Sequence, residues 1–163
     1  GYLERFYGAK QIWWLGDGLV GDDTDGHIYG MTRFVSARTI ISALESNSKD
    51  ENYKALQENW ERLNGFYFVD GSKPELVALP MPSPVIYQGQ RLPASYANFY
   101  ISNDSVWVPI FDDLNDQSAL GILQDCFADK VVRGIHAREL VCGLGALHCL
   151  SQQQPVSQHQ TRP

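Results

Sequence analysis

The order strand, strand, helix, strand is predicted twice along this chain, and this repeat limits the possible folds more than any other feature of the sequence. The first copy contains a hairpin, an amphipathic helix and a closing strand interrupted by a turn. These elements are predicted at residues 31–35, 39–44, 50–64, 66–69 and 76–79. Asp50 is expected to cap the N-terminus of the helix, and Gly65 to end it. The first copy is therefore a predicted ββαβ unit.

The second copy has the same four elements in the same order. They are predicted at residues 98–101, 106–110, 116–127 and 131–135. Asp116 is expected to cap the helix, and Phe99 matches Phe34 at an offset of about 65 residues. The mixture of strands and helices in the two copies predicts an α/β (α+β) fold, and the offset exceeds most solenoid repeats. About two ββαβ repeats, with flanking pieces, would then belong to a closed or pseudo-symmetric array.

Size and charge narrow the classes of function. With 163 residues, 18.3 kDa and 44% hydrophobic residues, the chain can build one core, as a whole domain or as a piece of a larger one. Its 19 acidic and 13 basic residues give a net charge of −6, which disfavours nucleic acid and favours small cations as ligands. No apolar run reaches the ~20 residues of a membrane span, and no leader is recognised. We therefore expect a soluble, cytoplasmic protein with no membrane partner.

The three cysteines have different surroundings, and their number and spacing predict neither a disulfide framework nor a zinc site. Cys126 lies in the second predicted helix and is expected in the core. Cys149 follows a glycine-rich turn at residues 143–145. A thiolate nucleophile needs backbone N–H groups or a cation nearby, and this turn would allow such an approach. A buried structural cysteine at a strand end is the alternative.

His27 ends an acidic loop that precedes the first unit. Asp22, Asp23 and Asp25 would keep its imidazole partly protonated, which suits a general acid and base. A histidine in an ordinary turn is one alternative, and calcium binding is a minor one because the EF-hand spacing is absent. No Gly-x-Ser-x-Gly elbow indicates a serine hydrolase. If the repeat is real, the loops carrying His27 and Cys149 lie at the same end of the array, and the two side chains are expected in one pocket.

Four separated segments resemble the agmatine deiminase family, which includes the bacterial peptidylarginine deiminases of the guanidino-group-modifying superfamily. The segments lie at residues 16–28, 79–82, 91–100 and 145–155. They include Gly26-His27-Ile28 and Leu147-His148-Cys149, and they occur in the order that the family has. The resemblance covers nearly the whole chain but only about the C-terminal half of a family member.

The resemblance implies the pentein fold, in which five ββαβ units surround a pseudo-fivefold axis that carries the active site. It implies that Cys149 is the nucleophile and His27 the general acid and base. The thiolate would attack the guanidinium carbon of agmatine, a small cationic guanidine. Hydrolysis of the covalent thiouronium would then give N-carbamoylputrescine and ammonia, a step of putrescine biosynthesis. No metal or organic cofactor is implied.

The chain departs from the family's pattern at one position. Where the family motif continues Gly-His-Ile-Asp, this chain has Tyr29, so one carboxylate that grips the guanidinium is missing. Other family carboxylates belong to Trp-x-Arg-Asp and Glu-Gly-Gly motifs of the N-terminal half, which we do not find. Asp22, Asp23 and Asp25 remain as candidates for substrate binding. Arg91 would repel a cationic substrate, so it is expected to fix a loop by bonding to backbone carbonyls.

Two interpretations follow for the chain as a whole. Residues 1–155 are expected to form the C-terminal portion of an agmatine deiminase-like domain, and residues 156–163 a polar tail. In the first interpretation the chain is a deiminase with little activity on its own, acting on agmatine or alternatively on peptidyl-arginine. In the second it is a non-catalytic or truncated half-domain, a binding or assembly module that pairs with a separate N-terminal half or with a second copy.

Overall fold

The computed structural model describes residues 1–24 and 26–154 of the chain. The helices are α1 (Tyr2–Tyr7), α2 (Tyr53–Asn64) and α3 (Asp116–Cys126). The strands are β1 (Thr32–Phe34), β2 (Thr39–Leu44), β3 (Glu75–Pro80), β4 (Ile86–Tyr87), β5 (Gln90–Arg91), β6 (Tyr100–Ile101), β7 (Ser105–Ile110) and β8 (Val131–His136). Short 3-10 turns lie at Ile28–Gly30 and Leu140–Gly143.

Two three-stranded sheets confirm the predicted ββαβ repeat. In the first, β1 pairs antiparallel with β2, and β2 pairs parallel with β3 after α2 has crossed between them. In the second, β6, β7 and β8 pair in the same way across α3. Both parallel pairs run in register over six residues, from Thr39↔Glu75 and from Ser105↔Val131. The small hairpin β4–β5 lies between the two units along the chain.

The closing strand of the first unit was predicted to start too early. Residues 66–69 form a loop and a turn, and the strand is β3 alone. Instead of pairing in the sheet, Phe66 and Phe68 pack on the indole of Trp13, with ring centroids 4.9 and 5.2 Å from it. The Phe68 N–H donates to the Ser72 carbonyl at 2.8 Å and closes the turn. The apolar side chains of this segment therefore cover Trp13 rather than continue the sheet.

The helix starts also differ from the predicted caps. Asn52, not Asp50, is the N-cap of α2, and Asn115, not Asp116, is that of α3. Asp50 instead forms a buried ion pair with Arg91, at 2.9 Å between Oδ1 and Nη1. Arg91 does fix the loop, as expected, but its partner is a carboxylate instead of backbone carbonyls. This pair joins the start of α2 to β5.

A buried carboxylate holds the start of α3. Asp116 accepts a hydrogen bond from the Tyr96 hydroxyl at 2.7 Å. It also accepts the N–H groups of Phe111 and Asp113, at 3.1 and 3.0 Å. Its two oxygens are therefore satisfied locally, as burial of a carboxylate requires.

One apolar cluster contains residues of both units, so the units share a core. It includes Ile41 and Leu79 from the first sheet, Val106 and Val108 from the second, and Leu123 from α3. A smaller cluster lies under α2, and its members are Leu19, Met31, Ala43, Leu56 and Met81. Among the described helices, none is long and apolar enough to cross a membrane.

Candidate active site

The loop before the first unit is organised by one carboxylate. Asp22 accepts the Thr24 N–H and hydroxyl at 2.9 and 2.6 Å, and with its other oxygen it accepts the N–H of His27. Burial raises the pKa of Asp22, but the hydrogen bonds from Thr24 and His27 outweigh this effect, so the pKa is lowered. Asp22 thereby fixes the backbone at His27. Asp23 is exposed, and Asp25 lies outside the described residues.

The segment that ends at Cys149 follows the second unit. After the 3-10 turn Leu140–Gly143, Leu144 adopts a left-handed conformation with a φ of 63°. Gly145 then comes so close to Cys149 that a Cβ atom on this glycine would lie 3.2 Å from the sulfur. The thiol of Cys149 is exposed and free. The absence of a side chain at residue 145 is therefore what leaves room for the sulfur.

The structure brings His27 and Cys149 together, as the sequence predicted. The distance from Cys149 Sγ to His27 Nδ1 is 3.7 Å, although 122 positions separate the two residues. His27 lies ahead of the first unit and Cys149 behind the second, so their approach depends on how the units pack. A thiol at this distance from an imidazole can transfer its proton to the ring and become a nucleophile.

Asn98, which was not among the predicted site residues, completes the surroundings of the thiol. Its side-chain amide donates to Cys149 Sγ at 3.0 Å, and its Oδ1 accepts the His148 N–H at 2.9 Å. The residue is only 5% exposed. A polar residue at the start of a buried apolar strand was the available signal, but its partner lies 51 positions away.

An aromatic and cationic cluster borders the pair. The ring of Tyr29 stacks on His148 with centroids 3.9 Å apart, and meets His27 edge-on at 5.7 Å. The Arg33 guanidinium lies 5.6 Å from the centre of the Tyr29 ring and 4.1 Å from that of Phe99. Burial lowers the pKa of Arg33 to about 10, so this side chain stays charged at neutral pH. Tyr29 thus occupies the site with a neutral ring beside a fixed positive charge.

His148 titrates abnormally because of this environment. Burial lowers its pKa, and the positive charges of Arg33 and His27 lower it further. At neutral pH its imidazole is therefore mostly uncharged. Independently of this titration, His27 is the histidine whose ring nitrogen contacts the thiol among the described residues.

Tyr29 also lines an apolar cleft of about 520 Å³. Its lining includes Trp13, Arg33, Phe34 and Phe68. Among the residues that the structure describes, no group of three or more His, Cys, Asp or Glu side chains is placed to hold a metal ion. Among the described residues, the imidazole of His27 and the buried amide of Asn98 are the groups that meet the thiol of Cys149.

The fold and the site together define an α/β protein of repeated ββαβ units with a cysteine–histidine pair between the loops that flank them. The family model of the Porphyromonas-type peptidyl-arginine deiminases matches residues 1–155. The chain belongs to this family.

Individual relatives agree with this assignment. A provisionally named agmatine deiminase of Legionella pneumophila (strain Paris) is 34% identical over 157 residues, which are 96% of this chain and 45% of that protein. The crystal structure of a provisionally named arginine deiminase from Porphyromonas gingivalis superposes with a TM-score of 0.91 at 39% identity, covering 94% of this chain and 46% of that one. An agmatine deiminase of C. jejuni with substrate bound gives 0.82 at 35% identity, covering 90% and 42%. The chain thus spans somewhat less than half the length of these relatives.

Proposed function

We propose that this chain supplies the cysteine and histidine of a guanidine deiminase, and that its substrate is agmatine. The observation that carries the proposal is the 3.7 Å separation of Cys149 Sγ and His27 Nδ1. Agmatine is favoured over peptidyl-arginine because several relatives bear the name of agmatine deiminase. In the whole protein, the two ββαβ units would be two of the five in a pentein ring. The product, N-carbamoylputrescine, would enter putrescine synthesis.

The first half-reaction needs the thiolate and a proton donor. The Cys149 thiolate attacks the guanidinium carbon and forms a C–S bond, which makes that carbon tetrahedral. His27 then donates a proton to one terminal nitrogen, the C–N bond breaks, and ammonia leaves. The product of this step is a thiouronium that is covalently bound to Cys149.

The second half-reaction uses the imidazole as a base. His27, now neutral, takes a proton from a water molecule as that water attacks the thiouronium carbon. Collapse of the tetrahedral intermediate breaks the C–S bond and returns the electron pair to sulfur as a thiolate, and the remaining hydroxyl proton is released to water, where ammonia takes it up as ammonium. The released ureido product carries the water oxygen, and His27 is again protonated, so the cycle is closed. All these steps use one thiol, one imidazole and water.

The guanidinium also needs negative charge beside it, and the residues of this chain that the structure describes contribute little near the pair. Tyr29 is neutral, Arg33 is positive, and the carboxylate of Asp22 is engaged with the loop. Each missing charge-assisted hydrogen bond weakens binding by roughly 1.5–3 kcal/mol. We therefore expect the isolated chain to release little ammonia from agmatine. In a whole protein of this family, the carboxylates that bind the guanidinium would come from the part of the relatives' length that this chain does not span.

Affinity labelling tests the proposal without requiring turnover. Chloroacetamidine carries a planar amidinium like the substrate, and chloroacetamide is its neutral counterpart. Cys142, which is also exposed, is the internal control. At each cysteine, peptide mass spectrometry gives the ratio of the labelling rate with chloroacetamidine to the labelling rate with chloroacetamide. We expect this ratio to be about tenfold larger at Cys149 than at Cys142. Equal ratios at the two cysteines would contradict guanidinium recognition.

The role of the imidazole has its own variant. Replacement of His27 by Asn removes the ring base and keeps a polar side chain of similar reach. Labelling of Cys149 by either reagent at about pH 7 should slow by about tenfold or more, because the thiol loses its proton acceptor. An unchanged rate would remove His27 from the mechanism.

A second candidate function is a non-catalytic half-domain that binds another polypeptide. It is favoured by two exposed aromatic side chains: Phe34, which lines the cleft, is 54% exposed, and Trp14 is 70% exposed. Strand β1 is also an edge strand of its sheet. The partner would be the remaining portion of a family member or a second copy. Sedimentation equilibrium of the chain, alone and with the N-terminal half of a relative, distinguishes these outcomes from a monomer.

A further inference from the structure

The segment that leads to His27 is not part of a sheet. Among the described residues, positions 16–21 make no backbone hydrogen bond to another segment of the chain. Their polar attachment to the first unit comes from two buried asparagines, Asn59 on α2 and Asn52 at its N-cap, which are 0% and 2% exposed. The Asn52 Oδ1 accepts the Val20 N–H at 2.8 Å. Side-chain amides thus take the place of the strand pairing that this segment lacks.

Asn59 holds two consecutive residues of this segment. Its Oδ1 accepts the Gly16 N–H at 2.6 Å, and its amide nitrogen donates to the Asp17 carbonyl at 2.9 Å. A backbone N–H can only donate and a carbonyl can only accept, so these two contacts need a side chain with both an acceptor and a donor. An apolar residue would satisfy neither contact, and an aspartate would satisfy only the first.

The place of Asn59 in α2 separates this role from ordinary packing. The buried side chains of the helix are Leu56, Asn59 and Leu63, so the asparagine interrupts an apolar face. Asparagine is a weaker helix former than leucine, and a buried amide is costly unless it is hydrogen-bonded. Leucine would therefore suit the helix and the core better. The hydrogen bonds to residues 16 and 17 are what account for an amide at this position.

The segment that Asn59 holds lies directly beside the backbone that carries His27. Gly18 crosses Gly26 so closely that a Cβ atom on Gly18 would lie 2.5 Å from the Gly26 Cα. Gly26 directly precedes His27 in the chain. A shift of the held segment therefore displaces this imidazole, which faces the thiol at 3.7 Å.

We propose that Asn59 is a positioning residue that places His27 opposite Cys149. In this role Asn59 touches neither the thiol nor the guanidinium; it acts through the backbone of residues 16–18 and of Gly26. The proposal deepens the proposed function and rests on it, because the place of His27 matters only if its ring is the proton acceptor of the thiol.

The test replaces Asn59 by Ala, which favours the helix and removes both contacts to the loop. Iodoacetamide alkylation of Cys149 is followed by peptide mass spectrometry between about pH 6 and about pH 10, with no substrate present. We expect the rate at about pH 7 to fall by about fivefold or more, because the thiol loses a well-placed proton acceptor. The rate at about pH 10, where the thiol ionises without help, should stay within about twofold of the unsubstituted chain. An unchanged rate at about pH 7, or a loss by one common factor at every pH, would overturn the proposal.

A double variant distinguishes positioning from a general loss of structure. In a chain that already carries His27→Asn, the ring that Asn59 places is gone. Asn59→Ala should then change the rate at about pH 7 by less than about twofold, because two substitutions that act through one group are not additive. A general loss of structure would slow alkylation by the same factor in both backgrounds, and that result would also overturn the proposal.

Two variants on the same helix serve as controls. Leu63→Val shortens a buried apolar side chain, and Asn64→Asp changes an exposed asparagine. Both should leave the rate at every pH within about twofold of the unsubstituted chain. If Asn59→Ala does not fold, Asn59→Ser takes its place with the same expectations, because one short hydroxyl cannot replace both contacts to the loop.

The proposed function has a separate readout. Equal labelling ratios at Cys149 and Cys142 would contradict guanidinium recognition and leave the alkylation assay valid, since iodoacetamide carries no amidinium. A normal labelling ratio at Cys149, with an alkylation rate that does not respond to Asn59→Ala, would overturn the positioning role alone. An unchanged rate in the His27→Asn variant itself would remove the roles of both His27 and Asn59.

Discussion

A Cβ atom on Gly145 would lie 2.8 Å from the Cβ of Cys149 and 3.2 Å from its sulfur. Real Cβ atoms do not approach each other so closely, so the turn before the thiol tolerates only glycine without a shift of the cysteine. This contact ties the reactivity of the sulfur to a residue that has no functional group.

Replacement of Gly145 by Ala should therefore displace Cys149 from His27. We expect alkylation of Cys149 at about pH 7 to slow by about 10-fold to 100-fold, since shifts near 1 Å have effects of this size. The free energy of unfolding should fall by only about 1–3 kcal/mol. Gly143→Ala is the matched control, because a Cβ there would meet nothing within 4 Å. Equal rates for the two variants would show that the close approach has no bearing on the thiol.

Tyr29→Asp should improve recognition of cations. The new carboxylate would stand near His27 and His148, where the neutral ring now stacks. At an effective dielectric constant near 20, a unit charge about 6 Å away contributes about 3 kcal/mol before screening and pairing with Arg33 reduce it. We expect the preference of Cys149 for chloroacetamidine over chloroacetamide to rise by about threefold or more. Tyr29→Asn, which removes the ring without adding charge, should show no such rise, and a rise in both variants would point to steric relief.

Stability should depend on pH through His148. Its folded pKa is lowered from 6.5 by burial, Arg33 and His27, so the unfolded chain binds this proton more readily than the folded one. The contribution of His148 to the free energy of unfolding is complete above pH 6.5, and it is lost as the pH falls from 6.5 through the pKa of His148 in the folded protein. The carboxylates Asp22 and Asp113 also have lowered pKa values, but their window begins only near 3.8. Thermal unfolding midpoints should therefore decline in two separate steps on acidification, and His148→Gln should remove the upper one.

Tyr96→Phe should destabilise the start of α3. The buried Tyr96 hydroxyl donates to Asp116 at 2.7 Å, and burial together with this hydrogen bond raises the pKa of the phenol far above its usual value. Loss of a hydrogen bond to a buried carboxylate costs about 1.5–3 kcal/mol, because that charge keeps fewer partners. Urea unfolding measures the difference, and Tyr87→Phe on the exposed strand β4 should cost less than about 0.5 kcal/mol. Comparable losses for both variants would exclude a special role of Asp116.

Local periodicity was enough to predict the two ββαβ units. Apolar residues recur along the hairpin strands and the helix faces at the periods of a strand and a helix, and these periods can be read directly from the sequence. The observed strands β2 and β7 begin and end within one residue of the predicted ones. Residues 66–69 were wrongly predicted as a strand. Their apolar side chains pack on Trp13, and the position of Trp13 depends on tertiary packing. Similarly, Asp50 is of a residue type that often caps helices, but in the folded chain its carboxylate forms an ion pair with Arg91.

The site was predictable only in part, for a related reason. Glycine-rich and acidic loops mark His27 and Cys149, and the repeat suggests that they share one end of the array. The contact of Asn98 with sulfur has no local signature, since it joins residues 51 positions apart. The stacking of Tyr29 on His148 is likewise a product of packing between segments. The roles of Asp22, Asp23 and Asp25 in substrate binding stay predictions, and the predicted tail at 156–163 lies outside the described residues.

The span of 122 positions between His27 and Cys149 has a consequence for how the protein acquires its reactivity. Each sheet closes within its own unit, through loops much shorter than this span, and short loops close at a smaller entropic cost. On the ribosome the first sheet can therefore form before residue 149 has been synthesised, because its last strand, β3, ends at Pro80. The reactive sulfur reaches a first unit that is already folded, so an incomplete nascent chain carries the imidazole of His27 without the thiol of Cys149.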